Sequence, residues 1–92
     1  MLKTDEKRIR NLITNNNKAK LAFEKMYNYY QITDKIQQTA HSRLIDKIYF
    51  GKNSEVNNLT LSSIANVAER TCYRYRVEYV DCFYTCFNML LN

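Results

Sequence analysis

No proline and a single glycine, Gly51, interrupt a chain of 92 residues, and this scarcity of breakers is what most limits the folds open to it. Sheets joined by many tight turns draw on both residues, proline to preset φ and glycine to reach positive φ. Long helices need neither. The expected class is therefore all-α, a small helical bundle of about four helices in one domain over residues 1–92, a length that buries one modest core.

Apolar spacing places the helices. Ile9, Leu12, Ile13, Ala19, Phe23, Met26, Tyr27 and Tyr30 keep helical phase, which reads as one long helix or as two broken at residues 15–17. A second N-terminal helix is expected from near Thr33, with Asp34 at its positive end, through Ile36, Ala40, Leu44, Ile45 and Ile48 to Gly51. Residues 52–58, KNSEVNN, are polar and carry no stripe, so they read as a loop. From about Ala68 a last stripe runs through Cys72, Tyr75, Tyr79, Phe83, Cys86 and Phe87 to Leu90, enough for one helix almost to the C-terminus. Beyond Arg76 its charges are Glu78 and Asp81, so this half is expected to pack on the N-terminal helices, on a second copy of the chain, or on both.

Residues 59–79, LTLSSIANVAERTCYRYRVEY, satisfy the physical demands of a helix-turn-helix. Thr60 can cap a first helix that turns Leu61, Ile64 and Ala65 inward, and Ser62 is small enough for close approach. Asn66 stands at the turn, where left-handed backbone angles favour Gly or Asn, and Val67 plugs the gap between helices. The second helix then begins near Ala68, which offers no capping hydroxyl. It buries Cys72, Tyr75 and Tyr79 and directs Glu69, Arg70, Tyr73, Arg74 and Val77 outward, where such a helix meets the major groove. Arg70, Arg74 and Arg76 supply guanidinium groups for phosphates or guanine.

The run IANVAERTCYRYR (Ile64 to Arg76) resembles the helix-turn-helix of sigma factor region-four domains and of phage late-gene activators of the RinA and ArpU type. The preceding RLIDKIYF (Arg43 to Phe50) is similar to the helix those families place before the motif, so the resemblance spans roughly residues 43–90. It implies double-stranded DNA binding near a promoter through Arg70, Thr71, Tyr73 and Arg74. With the residue types, it gives an expected transcriptional regulator, dimeric through its tail. Arg70, Tyr73 and Arg74 would contact bases or phosphates, Thr71 and Arg76 would contact phosphates, and Glu69 would accept from a cytosine amine.

Charge suits a polyanion without concentrating on the motif. The net charge is +5, yet residues 1–50 hold ten Lys or Arg against five Asp or Glu, while residues 51–92 hold four against four. Lys3, Lys7, Arg8, Arg10, Lys18 and Lys20 either extend a backbone footprint or form the solvated face of an amphipathic helix. Eight tyrosines raise stacking on single-stranded bases as an alternative, although most fall on inward stripes. The alternative from another class is a helical protein–protein interaction module that binds a partner such as RNA polymerase through the aromatic C-terminal helix.

Other chemistry finds little support. The thiols Cys72, Cys82 and Cys86 share the last helix, and the lone His41 lies on another, so no metal site is expected. No glycine-rich phosphate loop or apolar-set carboxylate pair is present, and the expectation is no enzyme and no cofactor. No apolar run approaches the roughly 18 residues that span a bilayer, and no basic start leads into one, so a cytoplasmic protein is expected.

Overall fold

A computed structural model describes residues 2–51 and 56–92. They form five helices and, among the described residues, no strand: α1 (Leu2–Asn15), α2 (Asn17–Gln37), α3 (His41–Phe50), α4 (Asn58–Ala65) and α5 (Glu69–Leu91). The break between α1 and α2 falls at Asn16, one of the two expected alternatives. Its extended backbone leaves the helix, and its side-chain oxygen accepts from the Ala19 amide at 3.0 Å, satisfying a donor that the helix start would otherwise orphan.

The second break lies elsewhere than the sequence suggested. Thr33 and Asp34 do not start a helix; they belong to the last turns of α2, which ends where Gln38 takes left-handed angles (φ 55°). The stripe Ile36, Ala40, Leu44 keeps phase across this corner, and a left-handed Gln gives no compositional warning. Asp34 still serves a helix N-terminus, that of α3, by reaching across the corner. Its carboxylate accepts from the amides of His41 and Ser42, both at 2.8 Å, and from the hydroxyls of Thr39 and Ser42. Burial pushes this carboxyl's pKa up, but the four donors outweigh it and hold the group below its ordinary value.

α3 ends at Gly51 as expected, where the backbone turns extended without positive φ. Its angles are ordinary, but a Cβ would collide with the Lys47 carbonyl oxygen. Of the expected 52–58 loop, residues 52–55 lie outside the described residues. Val56 is buried in the core, and Asn57, not Thr60, caps α4 by accepting from the Thr60 amide at 2.9 Å.

The core gathers Ile9, Phe23, Met26, Leu44, Ile45 and Leu61 around the inner face of α5. The most extensive contact is α2 against α5, where Tyr79, Val80, Phe83 and Phe87 are buried. Each large apolar side chain buried this way contributes about 1.5–3 kcal/mol. The aromatic tail therefore completes the core of its own chain, leaving Met89 and Leu91 exposed at its end. The radius of gyration, 12.7 Å, is close to the ~12 Å of a compact chain of this length. No helix among the described residues is long and apolar enough to cross a membrane.

Candidate nucleic-acid interface

Two helices and a three-residue turn frame the candidate surface. Leu61, fully buried, fixes α4; Cys72 and Tyr79, also fully buried, fix the rotation of α5. Asn66 occupies left-handed angles (φ 56°) and its amide bonds the Ser62 carbonyl, with the Val67 amide reaching the same oxygen at 3.2 Å. Val67 packs half-buried against the core. Ala68 stands at the N-cap with no side-chain hydrogen bond.

This anchoring leaves Glu69, Arg70, Tyr73 and Arg74 exposed over the first turns of α5, with Thr71 and Val77 half-buried beside them. Arg70 and Arg74 lie one turn apart and hold no ion pair among the described residues. Beside Tyr73, a hollow of about 410 Å³ is bordered by Leu2, Lys3 and Thr4 of α1, by Asn58 of α4 and by Arg76. The start of α1 thus adjoins the face of α5, and Lys3 and Tyr73 line the same hollow although the sequence separates them widely.

Arg76 is not on this surface. It is 4% exposed, and its partner Glu6 is 3% exposed. Arg76 donates from Nε to Glu6 Oε2 at 2.9 Å, from Nη2 to Glu6 Oε1 at 2.5 Å, and from Nη1 to Asn58 Oδ1 at 2.8 Å. The expected phosphate contact by Arg76 is thereby replaced by a structural role. The signal was present: Arg76 sits in phase with Cys72, Tyr79 and Phe83, and Glu6 in phase with Ile9 and Ile13. Opposite charges on the inner stripes of two helices mark a buried bidentate pair.

The other basic residues divide similarly. Arg10 is half-buried and donates from Nη1 to the Ile48 carbonyl at 3.1 Å, tying α1 to α3. Lys3, Lys7, Arg8, Lys18 and Lys20 are exposed. Of the tyrosines, Tyr30, Tyr49 and Tyr79 are buried, whereas Tyr73 is half exposed.

His41 is buried against Tyr30, Tyr75 and Tyr79, and its Nδ1 shares a 2.6 Å hydrogen bond with the Tyr79 hydroxyl. Burial pulls its pKa below the ordinary value, and the negative charges of Asp34 and Glu78 offset part of that shift. Burial pushes the Cys72 thiol up, and burial followed by the neighbouring Cys86 pushes Cys82 up to about 11. Thiols shifted upward stay protonated at neutral pH and are poor nucleophiles. No cluster of three or more His, Cys, Asp or Glu side chains suited to a metal occurs among the described residues. No family model, curated protein or solved structure matches the chain.

Proposed function

We propose that the protein is a transcriptional regulator that binds double-stranded DNA by presenting the first turns of α5 to the major groove. The observation that carries this reading is the exposed set Glu69, Arg70, Tyr73 and Arg74 on a helix start held by a left-handed turn at Asn66. A helix start carrying two guanidinium groups suits bidentate contact to guanine or phosphate. Lys3, which lines the same hollow as Tyr73, would extend the contact to the flanking backbone. The resemblance of Ile64–Arg76 to sigma region-four and phage late-gene activator motifs supports the same assignment.

Titrating a fluorescent duplex pool across a salt series tests it. Binding should weaken steeply as salt rises, with a log–log slope of about −0.9 for each phosphate neutralised. A fully folded protein that leaves the pool unbound at low salt would exclude the assignment.

A second reading is favoured by one feature of α2. Tyr29, Ile32 and Ile36 are exposed at i, i+3 and i+7, an apolar stripe suited to a partner helix. The interaction module first expected of the aromatic tail would then work through α2, since the tail is largely buried. RNA polymerase belongs to this reading as a candidate partner. An apolar interface of that kind responds little to salt, so the same titration separates the readings.

A further inference from the structure

Three sulfurs fall on one face of the last turns of α5. Cys82, Cys86 and Met89 stand at i, i+4 and i+7 of that helix, the spacing at which side chains line up one above the other. Both thiols are half-buried at the margin of the core, and the Cys82 and Cys86 thiols hydrogen-bond to each other. Met89 is 71% exposed, so its unbranched thioether is free to swing over them. Thr85, on the same face, donates its hydroxyl to the Asp81 carbonyl at 2.9 Å.

Hard ligands are scarce at this end of the helix. Glu78 and Asp81 precede the thiols, residues 87–92 carry no charged side chain, and no carboxylate or histidine completes the thiol pair to a set of three among the described residues. Cys72 is fully buried well before them in the helix. Zinc, which takes four ligands in a structural site, is therefore poorly served. A soft monovalent cation is not, because Cu(I) favours thiolate and thioether donors and accepts a low coordination number. The expectation against a metal site rested on the thiols and His41 alone; the Met89 thioether supplies a third soft donor. We propose that Cys82, Cys86 and Met89 form a three-sulfur site for Cu(I).

Binding exchanges two protons for one cation. Cu(I) forms a bond to each of the two sulfurs as its thiol proton leaves, giving a complex with one net negative charge and releasing two protons to solvent. The copper stays monovalent, so no electron is transferred. Met89 donates a lone pair without adding charge, and its exposure leaves the site open to entering metal. The site lies toward the far end of α5 from Glu69–Arg74, and the inference stands apart from the DNA reading.

Anaerobic titration of the full chain with Cu(I), supplied as its acetonitrile complex in competition with the chromogenic chelator bicinchoninate, tests it. One Cu(I) should bind per chain, with sulfur-to-copper charge-transfer absorption in the ultraviolet and three sulfur neighbours in the X-ray absorption spectrum. Cys82→Ser and Cys86→Ser should each weaken binding about a hundredfold, as a hard hydroxyl replaces a soft thiolate. Met89→Leu should weaken it about tenfold by removing the weaker thioether donor. Cys72→Ala should bind as the parent does. Circular dichroism confirms that each variant is folded. A parent that leaves Cu(I) with the chelator overturns the inference, as does a folded Cys72→Ala chain that loses binding or a Met89→Leu chain that matches the parent. Zn(II) taken up as tightly as Cu(I), or copper found only in a dimer by sedimentation velocity, overturns it equally.

Discussion

Glu6 and Arg76, 70 positions apart in the chain, close a bidentate ion pair that joins the second turn of α1 to the middle of α5. Both side chains are almost wholly buried. Desolvating two charges is expensive, and the pair offsets that cost only while both partners and the Asn58 hydrogen bond are in place. Removing one partner strands the other. Glu6→Gln or Arg76→Met should therefore cost about 3–5 kcal/mol in denaturant unfolding. The apolar pair Glu6→Leu with Arg76→Met should cost far less than the sum of its single changes. A small, additive effect would show that the pair is not the joint it resembles.

Asn66 sets the angle between α4 and α5 through its left-handed backbone. Asn66→Ala should destabilise the fold by about 1–2 kcal/mol, the cost of placing a Cβ-bearing residue without a local polar group in that region. Asn66→Gly should match or exceed the parent. Thermal melts of the two variants check the order.

Stability should fall in two steps on acidification. The pKa of His41 is lowered from 6.5 in the fold, first by burial, so below about that pH the unfolded chain takes up a proton that the folded chain refuses. Stability present above the unfolded pKa is lost as pH falls toward the folded one. Asp34, lowered from 3.8 by its four donors against the opposing effect of burial, adds a second loss at lower pH, as the folded carboxylate is finally protonated. Melting temperature should thus be flat near pH 7–8 and decline below about 6.5, the unperturbed histidine value. A His41→Gln chain should lack the upper step.

On the DNA reading, Arg74→Ala should weaken duplex binding by about 1–3 kcal/mol if Arg74 contacts a base, with relaxed sequence preference. Lys3→Gln should weaken all duplexes alike and reduce the salt slope by about one. Binding isotherms for selected and scrambled duplexes distinguish the two patterns. Retention of full affinity by Arg74→Ala would remove it from the contact set.

The all-helical class was legible because a chain nearly free of Gly and Pro offers few ways to turn. The left-handed Asn66 and the long α5 were legible because local chemistry and an unbroken stripe agree there. The corner at Gln38 was not. Its stop depends on Asp34 reaching across to the amides of His41 and Ser42, a tertiary arrangement without a local signature. Val56 hid within a polar run, where one apolar residue makes no stripe. Of the residues expected to point outward, Glu69, Arg70, Tyr73 and Arg74 are exposed, whereas Val77 is half-buried, and Arg76, expected to reach phosphate, is buried. There, residue type outweighed phase: an arginine was assigned to solvent although its position lies on the inner stripe. The approach of Lys3 to Tyr73 is a product of the fold alone.

The most direct measurement is a titration of isotope-labelled protein with duplex DNA, following backbone amide resonances by NMR. The expected perturbations cluster at Glu69–Arg74 and the first turn of α1, with the stripe at Tyr29, Ile32 and Ile36 unaffected. Perturbations confined to that α2 stripe, or none at low salt, would contradict the assignment of the α5 face to DNA.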